Sequence, residues 1–225
     1  MTPPKPAASP ADLYAAWGPE PARDCPICPR LVAYRHKNRA EHPDWWNGPP
    51  PSWGDPDARL LVVGLAPGRT GANRTGRPFT GDGAGVLLYQ TLLDTGFARG
   101  RYEARPDDGL QLVDCAISNA VRCAPPENRP LGSEEANCRP FLAARIAALP
   151  RLRAIVTLGD VSRRNVLRAL GAKASAAAPG HGVTTDVGPY RIFNSYHCSR
   201  LNTNTGRLTP EMFGAVFASV RAYLG

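Results

Sequence analysis

Leu60-Leu61-Val62-Val63-Gly64-Leu65-Ala66-Pro67-Gly68 is the stretch that decides the fold. Leu60 to Gly64 carries no polar residue on either alternating face, so it reads as a strand buried on both sides. The Ala-Pro-Gly that follows turns the chain out of the sheet. Working outward, apolar runs at 113–121, 154–158 and 190–196 read as further strands. Between them, helices are predicted over 85–97, 133–149 and 161–170. Ser133 stands as the N-cap of the second, with Glu134 and Glu135 in its first turn. A last helix opens with Thr209 as cap and Pro210 at its first position, and Phe213, Val216, Phe217 and Val220 then share one face. Strands alternating with helices imply an α/β fold with a mainly parallel sheet, and ligands in such sheets gather beyond the carboxyl ends of the strands.

The 225 residues, 43% of them hydrophobic, suffice for one substantial core. Residues 1–24, rich in Pro and Ala, read as a flexible lead-in with one short helix, and residues 25–225 as a single domain. Residues 47–56 contain four prolines and two glycines and form a loop. There is no secretory h-region and no apolar run long enough to span a bilayer, so a soluble, cytoplasmic protein is expected. In that compartment the six cysteines are not disulfides but buried, reactive or metal-bound thiols. The formal charge of +8 favours a polyanionic partner, although the Lys and Arg are dispersed and a generally basic surface fits as well.

Cys25-Pro26-Ile27-Cys28-Pro29 sets two thiols at a spacing that lets both reach one metal. Cys123 follows a strand and Cys138 lies in the next helix. A zinc ribbon would supply a second close pair, which this chain lacks, so scattered thiolates suit an iron–sulfur cluster better. The alternative is that Cys123 and Cys138 are ordinary buried thiols, as Cys115 in its apolar strand is expected to be.

Two strands end in unusually polar sequence. Gly64 leads through a Gly-rich loop to Thr75-Gly76-Arg77-Pro78-Phe79-Thr80-Gly81-Asp82-Gly83, with no nucleotide fingerprint in it. Phe79 fits either a core plug or a ligand platform, and Asp82 either a helix cap or a catalytic carboxylate. Asn119 interrupts an apolar strand, and its buried amide must find a partner in protein or ligand. After the last strand comes Ser195-Tyr196-His197-Cys198-Ser199-Arg200-Leu201-Asn202-Thr203, with Arg207 just beyond. There His197 fits either a structural imidazole or a donor to charge developing on a leaving group, and the polar neighbours Ser199, Asn202 and Arg207 favour the second.

Taken together, Gly64-Leu65-Ala66-Pro67-Gly68, Asn73 to Asp82, Asn119-Ala120-Val121-Arg122-Cys123-Ala124-Pro125-Pro126 and His197 to Thr209 resemble the uracil-DNA glycosylase superfamily. The likeness is strongest to its iron–sulfur branch, family 5 or type B. That resemblance implies a three-layer α/β/α fold around a four-stranded parallel sheet, and a [4Fe–4S] cluster on Cys25, Cys28, Cys123 and Cys138. It implies a base pocket at Gly64 in which Phe79 stacks on a flipped base, Asn119 bonds its edge and His197 stabilises the departing anion. Ser199, Arg200, Leu201 and Asn202 are implied to enter the minor groove with Leu201 as wedge, and Arg207 to contact DNA.

The chain departs from related branches in one respect. Ala66 stands where others have a water-activating Asp, and Leu65 where the sister branch has Glu. Asp82 is therefore assigned to the sugar cation or the attacking water. A monomer acting on DNA that contains uracil, or another deaminated base such as hypoxanthine, is expected. Two other functions compete with it: a metal-stabilised nucleic-acid-binding module without catalysis, and a hydrolase of free nucleosides or nucleotides.

Overall fold

The computed structural model describes residues 20–225, so the short helix expected in the N-terminal lead-in lies outside the described residues. The strands are β1 (Trp53–Gly54), β2 (Leu60–Gly64), β3 (Ala98–Arg99), β4 (Gln111–Leu112), β5 (Cys115–Asn119), β6 (Ala154–Leu158), β7 (Thr184–Val187) and β8 (Tyr190–Ser195). The α-helices are α1 (Pro29–Glu41), α2 (Ala72–Thr75), α3 (Gly83–Asp94), α4 (Gly132–Ala147), α5 (Asp160–Ala169), α6 (Arg200–Asn204) and α7 (Pro210–Leu224).

One sheet has the order β1-β5-β2-β6-β8-β7. Its four central strands run parallel. β1 and β7 add antiparallel edges, so the expected four-stranded parallel sheet is the centre of a six-stranded mixed one. β3 and β4 form a separate ribbon.

The alternation along β2 builds the layers. Leu60 and Val62 join the side chains of α3 and α7, among them Leu88, Leu92, Phe213 and Phe217. Leu61 and Val63 face the other way, onto Leu142 and Ile146 of α4 and Val166 and Leu167 of α5. All four β2 side chains are fully buried, and each such burial stabilises by roughly 1.5–3 kcal/mol. The resulting architecture is α/β/α.

Where sequence and structure differ, the cause is local. β5 begins at Cys115 because Asp114 has a left-handed backbone (φ 53°), held by the Arg59 N–H and guanidinium on its carboxylate. Ala120 and Val121 leave the ladder but still donate to the carbonyls of Gly64 and Leu65. α3 stops at Asp94, ahead of the left-handed Gly96. Ser133 lies inside α4 and does not cap it; Glu134 accepts the Leu131 N–H at 2.8 Å and closes that end. Thr209 caps α7 through the Met212 N–H, as expected. Glu20, within the stretch expected to be loose, is buried between Arg122 and Arg145. Among the described residues no helix is long and apolar enough to cross a membrane.

Candidate active site

Parallel strands end together, and a cleft opens over the ends of β2, β5, β6 and β8. Leu65, Ala66, Phe79, Asn119, Gly159 and His197 border it. Gly64 is in register with Asn119. A Cβ on Gly64 would lie 2.4 Å from Asn119 Oδ1 and 2.5 Å from Phe79 Cζ, so only glycine lets the amide and the ring converge.

Phe79 itself has a left-handed backbone (φ 53°). Tyr102 donates to its carbonyl at 3.2 Å, and the same carbonyl passes 1.8 Å from where a Cβ on Gly85 would stand. Arg77, two residues earlier, is buried against Asp108 at 2.7 Å and lies over the Trp53 ring. Burial alone raises the Asp108 carboxyl. Arg77 and the N–H groups of Glu103 and Leu110 outweigh that and hold it at about 2. The phenyl ring thus packs on the core with one part and lines the cleft with another.

Two groups in this cleft are buried without a hydrogen bond among the described residues: Asn119 Oδ1 and His197 Nδ1. Each unsatisfied group costs about 1–3 kcal/mol, a cost that a bound ligand can remove. The His197 ring is tilted 31° to Phe79 with centroids 6.1 Å apart. Burial lowers the pKa of the imidazole, and Asp82 only partly opposes this, so it is neutral at pH 7.

Asn202 Nδ2 donates to the His197 carbonyl at 2.8 Å, which ties the strand end to α6. Ser199 caps that short helix. Leu201 on it is 73% exposed, the most exposed large apolar side chain among the described residues. Arg200 crosses the start of α3, where a Cβ on Gly83 would meet its Nε at 2.2 Å. Arg207 stacks on Tyr196 (4.7 Å) and borders a neighbouring pocket with Asn194 and Ser195, not the cleft above the strand ends.

Asp82 uses its two oxygens differently. Its Oδ1 accepts the N–H groups of Ala84 (3.1 Å) and Gly85 (3.4 Å) and so caps α3. Its Oδ2 lies against the loop after β2, where a Cβ on Gly71 or Gly68 would come within 2.2 or 2.9 Å.

Cys28 is the N-cap residue of α1, and it borders one small pocket together with Cys25, Cys123 and Cys138. Donors point at these sulfurs: Arg122 N–H at Cys138 (3.5 Å), Asn137 Nδ2 at Cys28 (3.5 Å) and Arg35 Nη1 at Cys123 (4.0 Å). Arg35 Nε is buried without a partner among the described residues. Burial, reinforced by the neighbouring thiols, pushes Cys123 up to about 12 and Cys138 to about 11. Among the described residues no three His, Cys, Asp or Glu are drawn together as a metal site. Cys115 and Cys198 are buried elsewhere, in the core beneath α3 and α7.

The family model of the Uracil DNA glycosylase superfamily matches residues 51–221. The chain belongs to this superfamily. Within it, the chain is 43% identical over 206 residues to a type-5 uracil-DNA glycosylase of Pyrobaculum aerophilum, covering 90% of each chain. It is 41% identical to a type-5 uracil-DNA glycosylase of Thermus thermophilus, over 89% of this chain and 94% of that one. A type-4 uracil-DNA glycosylase of Pyrobaculum aerophilum matches less, at 33% over 68% of this chain.

In this uracil-DNA glycosylase superfamily member Phe79, Asp82, Asn119 and His197 line one cleft, and Gly64 lies beneath it against Asn119 and Phe79. Sequence reasoning missed Tyr102, which bonds the Phe79 carbonyl, the Arg77–Asp108 pair beside it, and Gly159, whose left-handed φ of 90° beside His197 would strain any other residue. It also missed Asn128 on the cleft's edge. No hydrophobic periodicity in the sequence marks them.

Proposed function

We propose that this chain is a uracil-DNA glycosylase that takes uracil out of the DNA stack and hydrolyses its N-glycosidic bond, leaving an abasic site. The observation that carries this reading is the pair of buried, unbonded groups, Asn119 Oδ1 and His197 Nδ1, on a Phe79 platform that Gly64 keeps open. A carboxamide offers one acceptor and two donors, which matches the alternating edge of a uracil ring. The same edge pattern recurs in part on hypoxanthine, so that base belongs to the proposed substrate range.

Bond cleavage leaves positive charge on the sugar and negative charge on the base. A neutral imidazole at His197 donates a hydrogen bond that strengthens as the anion forms, and a preorganised donor of this kind lowers a barrier by about 3–4 kcal/mol. The Asp82 carboxylate, anchored through Oδ1, presents Oδ2 toward the loop after β2, where it steadies the sugar cation or orients water. Leu201, held outward on α6, fills the space that the base leaves. The charge of +8 holds the DNA backbone.

Cys25, Cys28, Cys123 and Cys138 would hold a [4Fe–4S] cluster, with the donors from Arg35, Arg122 and Asn137 suited to thiolate sulfur. Such a cluster cross-links segments distant in sequence and takes no part in the chemistry at the base. Protein purified anaerobically is expected to be brown, with about four irons per chain; colourless protein with stoichiometric zinc would refute the assignment.

The test of the function is incubation of the protein with uracil-containing duplex, scored by alkali-labile abasic sites and released base. Wild type is expected to release uracil and Gly64→Ala to lose that activity, because the new methyl fills the cradle. DNA binding without release would establish the non-catalytic module, and cleavage of free deoxyuridine alone the nucleoside hydrolase.

A further inference from the structure

The cleft has two banks. Leu201 follows β8, whereas the loop 125–131 follows β5, and β2 and β6 lie between them. Three interstrand steps put the banks about 14 Å apart. The loop 125–131 has an unusual backbone: Glu127 and Asn128, neither a glycine, both take left-handed conformations with φ 56°. Such consecutive left-handed residues are strained and persist where the surroundings enforce them.

The enforcement is visible. Arg30 of α1 donates to the Arg129 carbonyl at 3.0 Å and forms a two-pronged pair with Glu134 at 2.8 and 2.7 Å. Glu134 in turn accepts the Leu131 N–H, so both ends of the turn are clamped. The clamp presents Asn128 to the cleft, exposed at its rim. The Asn128 carboxamide makes no hydrogen bond among the described residues. Asn119 occupies the floor, where a base edge would sit, so a donor on the rim meets the part of a nucleotide that stays outside.

We infer that the 125–131 loop is a second DNA-contacting bank, and that Asn128 donates a hydrogen bond to the phosphodiester backbone of the extruded nucleotide. The inference rests on the glycosylase reading. It makes Asn128 a positioning residue whose contact forms whether the substrate began as a duplex or a single strand. In this it differs from Leu201, whose contribution depends on a stack to be filled.

The test is single-turnover uracil release by the full chain on single-stranded and duplex DNA, with Asn128→Gly and Asn128→Asp. Both substitutions tolerate the left-handed backbone, so unchanged thermal midpoints are expected. Asn128→Gly is expected to slow release about tenfold on both substrates, the scale of one hydrogen bond to a charged group. Asn128→Asp is expected to be slower still, because a carboxylate repels phosphate, and to recover partly as salt rises. Wild-type rates in Asn128→Gly, an Asp variant no slower than the Gly variant, or a loss confined to duplex would each overturn the inference. A wild-type chain that releases no uracil would overturn the glycosylase reading and this contact with it.

Discussion

Ser118 and Asn119 are neighbours on β5 and point to opposite faces of the sheet. Ser118 Oγ accepts from Arg122 at 2.7 Å and from Ser52 at 3.1 Å, within a buried network in which Glu20 binds both Arg122 and Arg145. Asn119 Oδ1, one residue on, is just as buried and accepts nothing among the described residues. The first region is polar and saturated, so it holds the fold; the second is polar and left open, so it has free energy to gain from a ligand. The same strand serves both ends because side chains alternate. Buried polarity therefore marks function here only where its partners are missing.

The largest expected effect breaks the saturated side. Glu20→Ala leaves the Arg122 and Arg145 guanidinium groups buried without their shared carboxylate, and loss of one partner from such a network costs about 3–5 kcal/mol. Chemical denaturation would show it as a lower midpoint, and an unchanged midpoint would mean that water replaces the carboxylate.

On the open side the effect moves from stability to rate. Asn119→Ala and His197→Ala are each expected to slow uracil release by roughly 10²–10³-fold in single turnover while leaving the thermal midpoint unchanged or raised. A fall in stability comparable to that of Glu20→Ala would place these residues with the scaffold. Because the His197 pKa is below its ordinary value near 6.5, the neutral form should persist and activity should stay flat as pH falls from 7 through that value, declining only lower. The accompanying stability change has the same sign: unfolded chains take up the proton first, so the contribution of His197 diminishes below about 6.5.

Asp108 gives the next effect. Its carboxyl titrates at about 2 when folded against 3.8 in the unfolded chain. Its bonds to Arg77 and to the Glu103 and Leu110 N–H groups together therefore contribute about 2 kcal/mol that is present above the unfolded value and lost as pH falls through the folded one. Acid titration of Asp108→Asn should lack that increment.

The smallest effects concern Leu201 and Asp82. Leu201→Ala should lose activity mainly on well-paired duplex and little on single strands, and equal losses would mean that it merely packs the loop. Asn caps a helix about as well as Asp, so Asp82→Asn separates the two roles of that residue: slowed chemistry at unchanged stability assigns the free oxygen to the reaction, and full activity leaves only the cap.

The sequence by itself determined the central strands, because Leu60 to Gly64 is apolar on both faces and Ala154 to Leu158 is so but for Thr157, and both need covering on both sides. It also determined α7, through Thr209, Pro210 and a helical stripe; Asn119 and His197 stand out as polar residues at strand ends, whereas Gly64 and Phe79 are singled out only through the family resemblance. α1 was not legible, since only Leu31, Arg35 and Asn38 of it are buried and no apolar stripe marks it. β1 and β7 were not legible either: each is short, half-exposed and defined by its neighbour in the sheet.

Only the tertiary structure decided that Tyr102 bonds the Phe79 carbonyl beside the buried Arg77–Asp108 pair, that Arg207 faces a different pocket, and that Asp82 divides its oxygens between a helix and the loop after β2. These are contacts between residues far apart in the chain or choices of side-chain direction. Local propensity carries information about backbone and burial, whereas a hydrogen bond across the fold depends on where two independent elements come to rest.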